Sequence, residues 1–130
     1  MNNQRIAILG AGSMGTAILA GLLRSGVDAA QIAISTKSVA SAERLTDEFG
    51  VTAFALEASA QANAEATASA DVILVAVKPG YVLEVLGEIA STLKPSALVI
   101  SVAAGITTTA MQSALPDSVA VIRSMPNTPA

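Results

Sequence analysis

The residues with the clearest potential for chemistry lie near the start of the chain, in the run LGAGSMG at residues 9–15. Its three glycines, Gly10, Gly12 and Gly15, follow a short apolar segment and precede a helix-forming one. This spacing is typical of turns that bind a dinucleotide. The first glycine permits the tight turn, the second lets backbone approach a pyrophosphate, and the third allows close helix packing. The free N–H groups and the dipole at the helix start would then face the phosphates. The competing interpretation is a strand–turn–helix that uses glycine for geometry alone.

A second polar group lies where the second strand is expected to end, at Ser35, Thr36 and Lys37. Domains that select NAD carry an Asp or Glu at this place, which accepts a hydrogen bond from the adenosine ribose, and this chain has neither. Hydroxyls and an ammonium suit a 2′-phosphate, which a carboxylate would repel. The sequence therefore predicts that NADP(H) is preferred and NAD(H) possible, since a lysine is a point charge and not a bidentate clamp. The alternative is a polar loop that caps the next helix.

Other candidate residues follow later strands. In an open parallel sheet, ligands bind beyond the carboxyl ends of the strands, which places Lys78 near the cofactor or the substrate. Pro79 fixes the backbone there and begins the next helix. Small residues at 102–105 would let a flat ring approach the backbone. The simpler alternatives are a solvated cation for Lys78, a helix cap for Asn63 and a plain helix start for 102–105.

Composition excludes several classes of function. The chain has no His and no Cys, so disulfides, thiolate nucleophiles, zinc-type metal sites and histidine acid–base chemistry are ruled out. A net charge of −3 and an aromatic content of 2% do not fit a nucleic-acid partner. No stretch is long enough to span a bilayer and no secretory pattern is visible, so a soluble cytoplasmic protein is expected.

Apolar runs separated by turn residues predict six strands that alternate with helices. The strands are predicted at residues 5–9, 31–35, 51–54, 71–77, 97–102 and 119–123. The helices are predicted at residues 13–25, 39–49, 79–93 and 107–115, with a short helix after Asn63 as its N-cap. This alternation predicts an α/β fold, a Rossmann-type doubly wound parallel sheet of about six strands. Residues 1–124 are expected to form this dinucleotide-binding domain, and residues 125–130 to begin a connector.

Taken together, these segments resemble the pyrroline-5-carboxylate reductase family. The matching pieces are LGAGSMG at 9–15, NAEA at 63–66, ADV at 70–72, VAVKP at 75–79, SVAAGI at 101–106 and VIRSMPNTP at 121–129. The first piece is shared with many dehydrogenases, whereas AVKP and MPNTP are more specific. The resemblance covers essentially the whole chain but only about half of the family's usual length. The helical C-terminal domain of the family, which supplies the dimer interface and most of the substrate pocket, is therefore expected to be absent.

The resemblance implies an NAD(P)H-dependent oxidoreductase of proline biosynthesis. Such an enzyme transfers a hydride to the C=N carbon of a small-molecule substrate, 1-pyrroline-5-carboxylate, and forms L-proline. The family is homo-oligomeric, mainly through the domain expected to be absent, and this chain is expected to be inactive alone. The implied cofactor contacts are Leu9, Gly10, Ala11, Gly12, Ser13 and Met14 at the pyrophosphate, Ser35, Thr36 and Lys37 at the adenosine phosphate, Asn63 at the ribose, Ala76, Val77, Lys78 and Pro79 along the cofactor, and Val102, Ala103 and Ala104 beside the nicotinamide. Asn127 and Thr128 would lie near the nicotinamide and substrate, with no certain catalytic residue.

Two alternatives remain open, of which the first belongs to a different class of function. One is a stand-alone module that binds or senses NADP(H), which should end in a finished helix or strand and not in a proline-flanked segment. The other is the cofactor domain of a related imine or β-hydroxyacid dehydrogenase, against which the AVKP and MPNTP segments count.

Overall fold

Six short strands, built mainly from Ile, Val, Leu and Ala, form one sheet in the computed structural model, which describes residues 4–124. The strands are β1 (Ile6–Leu9), β2 (Ile32–Thr36), β3 (Thr52–Ala55), β4 (Val72–Val75), β5 (Leu98–Ser101) and β6 (Ala120–Arg123). All neighbouring pairs are parallel, and the spatial order is β3-β2-β1-β4-β5-β6. This order is that of a doubly wound dinucleotide-binding sheet, so the predicted fold class is confirmed.

The helices connect successive strands. They are α1 (Ser13–Arg24), α2 (Val39–Phe49), α3 (Ala62–Thr67), α4 (Val82–Ile89) and α5 (Thr108–Ser113), with short 3₁₀ turns at Ala29–Gln31 and Pro79–Tyr81. A glycine follows the last turn of α1 and ends this helix. Gly26 has φ +104°, and the N–H groups of Gly26 and Val27 donate to the carbonyls of Leu23 and Leu22. These two bonds form a Schellman motif, which satisfies carbonyls that the helix end would otherwise leave unpaired.

The two faces of the sheet carry separate halves of the core, because successive side chains of a strand point to opposite faces. Ile8 and Ile34 pack with Leu19 of α1 and Leu45 of α2 on one face. Their neighbours on the strands, including Leu9, face the other way and pack with residues of α3, α4 and α5. Each buried branched side chain contributes about 2 kcal/mol through removal from water. The core therefore fixes the sheet, and with it the positions of the strand ends.

Two helix predictions were wrong in detail. Asn63 is not the N-cap of the short helix, because α3 begins at Ala62 after Gln61 and buries Asn63 in its first turn. The helix predicted at residues 79–93 does not reach residue 93. It ends at Ile89, whose carbonyl oxygen accepts hydrogen bonds from the Thr92 hydroxyl and from the N–H groups of residues 92 and 93. The connector expected at residues 125–130 lies outside the described residues.

Candidate dinucleotide site

A cleft of about 540 Å³ opens at the carboxyl ends of β1, β2 and β4. The chain leaves β1 toward β2 and β3 and then returns to β4 on the other side of β1, so the strand order reverses at this point. Such a reversal separates the flanking loops and leaves a crevice where ligands of α/β proteins bind. The lining residues are Gly10, Ala11, Gly12, Ser35, Thr36, Lys37, Ser41, Leu56, Asn63, Ala76, Val77, Lys78, Tyr81, Glu84, Val85 and Glu88.

The turn at Gly10 brings the strand ends together. Gly10 has φ +100°, and a Cβ there would lie 3.0 Å from the Ala76 carbonyl oxygen. The Gly10 N–H donates to Ser35 Oγ at 3.2 Å, and the Ala76 N–H donates to the Leu9 carbonyl at 2.8 Å. The turn is thus anchored to both neighbouring strands, and only glycine combines its left-handed backbone with this close approach.

The other two glycines of the turn have different functions. A Cβ on Gly15 would clash with the Gly10 carbonyl oxygen, so Gly15 allows α1 to pack directly against the turn. A Cβ on Gly12 would meet no atom within 4 Å, and its φ of −75° suits any residue. The fold therefore requires glycine at position 15 and not at position 12. At position 12, glycine leaves open space beside the cleft.

The start of α1 leaves its N–H groups available. Its N-cap is Gly12, which offers no side chain to the helix, and its first turn has no acidic residue. The first hydrogen bond within the helix runs from the Thr16 N–H to the Gly12 carbonyl, so the preceding N–H groups at 13–15 have no partner in the helix. Unpaired N–H groups and the positive end of a 12-residue helix at a cleft are suited to an anion.

The hydroxyls at the end of β2, those of Ser35 and Thr36, already form hydrogen bonds within the protein. Ser35 Oγ accepts from the Gly10 N–H, and the Thr36 hydroxyl donates to the Ser38 carbonyl at 2.8 Å. Both side chains are buried, with exposures of 2% and 3%. These two side chains line the cleft, but their hydrogen bonds are made to other parts of the protein. Lys37 is therefore the exposed donor among the three residues.

Glu57 adds a negative charge close to the start of α2. Its Oε1 accepts from the Val39 N–H at 3.1 Å, beside the cap that Ser38 forms with the Ser41 N–H. The Glu57 N–H in turn donates to the Lys37 carbonyl at 3.0 Å. A carboxylate therefore lies at the start of α2, two residues along the chain from Lys37.

Asn63 carries an unsatisfied hydrogen-bond acceptor in the cleft wall. It is 3% exposed, and its Nδ2 donates to Glu88 Oε2 at 3.1 Å. This bond fixes the orientation of the amide because only the nitrogen can donate to a carboxylate. Its Oδ1 is buried and has no partner among the described residues. A ligand with a hydroxyl group would satisfy this acceptor, whose burial unpaired costs about 1–3 kcal/mol.

The remaining predicted residues divide into two sets. Ala76, Val77 and Lys78 line the cleft after β4, whereas Leu9, Ser13, Met14, Pro79, Val102, Ala103 and Ala104 do not. Leu9 is fully buried in the core, so only its backbone reaches the turn. Residues 102–104 follow β5, beyond β4. Asn127 and Thr128 lie outside the described residues.

Sequence reasoning missed six lining residues, namely Ser41, Leu56, Tyr81, Glu84, Val85 and Glu88. Four of them occupy positions 81, 84, 85 and 88, the spacing of one face of the helical segment formed by the Pro79–Tyr81 turn and α4. That spacing was a usable signal. Ser41 and Leu56 had no comparable signal, because tertiary packing alone turns them toward the cleft.

Comparison with known protein families agrees with this geometry. Residues 5–105 match the family described as "NADP oxidoreductase coenzyme F420-dependent". The chain belongs to this family. The matched segment includes the glycine turn and the strand ends around the cleft, so the family assignment and the site rest on the same residues.

Individual relatives are named pyrroline-5-carboxylate reductase. The Escherichia coli protein of that name is 43% identical over 128 residues, which cover 98% of this chain and 45% of the relative. The solved structure of the Coxiella burnetii reductase superimposes with a TM-score of 0.86 at 31% identity and covers 98% of this chain and 46% of that one. The Plasmodium falciparum reductase, crystallised with NADP bound, superimposes with a TM-score of 0.79 at 23% identity over 98% of this chain and 44% of that one, which shows a shared fold.

These comparisons confirm the resemblance inferred from the motifs. The chain spans about half the length of the curated relatives that it matches. Within residues 4–124, no helix has both the length and the apolar character needed to cross a membrane.

Proposed function

We propose that this chain binds NADP(H) in the cleft at the carboxyl edge of its sheet and forms the cofactor-binding half of a pyrroline-5-carboxylate reductase. The observation that carries the proposal is the arrangement of the cleft at the strand-order reversal, where an uncapped helix start, an exposed lysine and a buried unpaired acceptor converge.

Each part of the cleft suits one part of a dinucleotide. The N–H groups at 13–15 would hold the pyrophosphate, and the open space beside Gly12 would let it approach. Asn63 Oδ1 would accept a hydrogen bond from a ribose hydroxyl. Lys37 would pair with the 2′-phosphate. The acidic side chains Glu84 and Glu88 lie on the wall opposite Lys37 and would keep the 2′-phosphate toward that lysine.

The substrate is proposed from the names of the relatives. Bound NADPH would supply the hydride that reduces 1-pyrroline-5-carboxylate to L-proline. This chain's own residues would hold the cofactor, orient its nicotinamide and exclude water around it. Asn127, Thr128 and residues 102–104 retain their proposed places beside the nicotinamide. We also propose that the protein is cytoplasmic and binds no nucleic acid. Self-association would occur mainly through the helical C-terminal domain of the family.

Calorimetric titration of the 130-residue chain with NADPH and with NADH tests the cofactor assignment. Tighter binding of NADPH is expected, because Lys37 can pair with the additional phosphate. Equal affinities for the two cofactors would contradict the preference for NADP(H), and an absence of heat with either would contradict cofactor binding itself.

An assay of the same chain with NADPH and pyrroline-5-carboxylate tests whether the chain holds only the cofactor-binding part of the enzyme. Little turnover is expected, since the chain spans only 45% of the Escherichia coli relative. Robust formation of proline by these 130 residues would show that they hold a complete substrate site.

A further inference from the structure

Tyr81 is an exposed aromatic side chain in the wall of the proposed cofactor cleft. It ends the 3₁₀ turn Pro79–Tyr81 directly after β4, and its N–H donates to the Lys78 carbonyl at 2.9 Å. Its side chain is 51% exposed. The two phenylalanines of the chain, Phe49 and Phe54, do not line the cleft, so Tyr81 is the one aromatic surface that the described residues offer to a ligand there.

Lys37 covers the face of this ring in the structure. Its Nζ lies 5.8 Å from the ring centroid, within the range of a cation–π contact. Lys37 follows β2 and Tyr81 follows β4, with β1 between these strands, so the contact bridges the two walls of the cleft. An exposed cation–π pair shifts an equilibrium only roughly twofold to fivefold, which a ligand can outweigh.

We propose that Tyr81 is the platform on which the cofactor's adenine stacks, and that the ring and the 2′-phosphate compete for the Lys37 ammonium. This inference rests on the proposed cofactor function and assigns a base-binding role to a residue outside the glycine turn. Stacking on an aromatic face strengthens binding of a base roughly tenfold. The phosphate draws Lys37 away, since an ion pair with a dianion is stronger than a contact with a ring.

The competition has a measurable consequence for selectivity. When adenine and phosphate bind together, Lys37 leaves the ring as the base takes its place. A ligand that lacks the 2′-phosphate must displace Lys37 without offering it a new partner. Both ligands therefore pay the same cost of displacing Lys37, so Tyr81 strengthens adenine binding of both, and the advantage of the phosphorylated ligand comes from the new ion pair of Lys37.

The composition of the chain provides a direct probe. Tyr81 is its only tyrosine and it has no tryptophan, so its intrinsic tyrosine emission reports on this one ring. Adenosine 2′,5′-bisphosphate carries the adenine, the 2′-phosphate and one 5′-phosphate of NADPH. It has no nicotinamide that could absorb the tyrosine emission. Titration of the wild-type chain with this ligand is expected to change the Tyr81 emission in step with the heat of binding.

Three variants separate the contributions. Tyr81→Ala is expected to weaken binding of both adenosine 2′,5′-bisphosphate and adenosine 5′-monophosphate by a similar factor, up to roughly tenfold. Lys37→Gln should weaken the bisphosphate and leave the monophosphate bound at least as tightly as in the wild type. Leu83→Ala is the matched control, since Leu83 is also exposed, at 44%, but does not line the cleft. It should change neither affinity.

The outcomes distinguish this inference from the function on which it rests. Binding of the bisphosphate with unchanged Tyr81 emission, or with unchanged affinity in Tyr81→Ala, would overturn the role of Tyr81 and leave cofactor binding intact. A failure of the wild-type chain to bind the bisphosphate or NADPH would overturn the proposed function and, with it, this inference.

Discussion

The two ends of the parallel sheet differ in whether certain polar groups have hydrogen-bond partners. At the amino end, the Arg5 N–H donates to Asp71 Oδ2 at 2.8 Å, and Lys94 Nζ donates to Asp71 Oδ1 at 3.0 Å. Both oxygens of that carboxylate are thereby paired. At the carboxyl end, the N–H groups that begin α1 lack helix partners and Asn63 Oδ1 has no partner among the described residues.

Cavity size follows the same division. The amino-end cavity measures about 140 Å³ and the carboxyl-end cleft about 540 Å³. Paired groups hold strands together, whereas unpaired groups beside open space are available to a ligand. The sheet therefore uses polar groups for stability at its amino end and leaves polar groups available to a ligand at its carboxyl end.

The largest expected effect is that of Gly12→Val at the carboxyl end. The valine side chain would fill the space through which a pyrophosphate approaches, so NADPH affinity should fall at least roughly a hundredfold. Thermal unfolding should change little, because a Cβ at this position meets nothing within 4 Å. Calorimetry and a melting curve measure the two quantities.

Gly15→Ala is the matched control for that variant. Its Cβ would clash with the Gly10 carbonyl oxygen, so we expect the free energy of unfolding to fall by about 3 kcal/mol. A Gly12→Val chain that binds NADPH with unchanged affinity would show that the glycine turn does not hold the pyrophosphate.

Charge reversal at the second strand should have the next largest effect. Lys37→Glu places a carboxylate where the 2′-phosphate is expected, so the ratio of NADPH to NADH affinity should fall roughly tenfold and approach or pass equality. Arg44→Glu on α2 changes the net charge equally without touching the cleft and serves as the control. An unchanged ratio in Lys37→Glu would assign the preference to other residues.

Neutralising Glu57 should sharpen the preference by a smaller amount. Glu57→Gln keeps an oxygen that can accept from the Val39 N–H and removes the negative charge at the start of α2. NADPH affinity should rise about threefold, with NADH affinity unchanged. An equal gain for both cofactors in calorimetry would mean that the charge acts on the pyrophosphate and not on the 2′-phosphate.

The smallest effect is expected at the amino end. The Arg5 N–H and then the Lys94 ammonium hold the pKa of Asp71 below its usual value of 3.8. Because the pKa is lowered in the folded protein, the ionised Asp71 carboxylate stabilises the fold at pH values above its usual pKa. This contribution is lost as the pH falls through the folded-state pKa. Asp71→Asn should lower Tm by a few degrees at neutral pH and remove this part of the acid dependence.

The affinity of Asp71→Asn for NADPH tests whether the two ends of the sheet act independently. It should not change in Asp71→Asn, since Asp71 lies away from the cleft. A weakened affinity for NADPH in this variant would break the division between a stabilising and a binding end.

The order of elements and the glycine turn were predictable from local sequence. Apolar runs bounded by glycine, proline and N-capping residues identify the six strands, and the bounds of α2 agree with the predicted helix at 39–49. Gly10 and Gly15 also have the predicted functions, because a turn and a close approach depend on residues near in sequence.

The far wall of the cleft was harder to predict, since it depends on packing between distant elements. The alanine-rich segment before β4 has no strong periodicity or cap, so the sequence did not show that Asn63 would be buried against Glu88 of α4. The hydroxyls of Ser35 and Thr36 similarly bond to residues of the turn and of the loop. A side chain's type indicates what it can bind, but only the fold shows whether another group has already occupied it.

Mapping backbone amide shifts by nuclear magnetic resonance during titration with NADPH tests the central claim most directly, because it observes both ends of the sheet at once. Large shifts are expected for residues 10–15, Lys37, Asn63 and Lys78, and essentially none for Asp71 and Lys94. Saturating NADPH that moves no amide, or moves only those of the amino end, would contradict that claim.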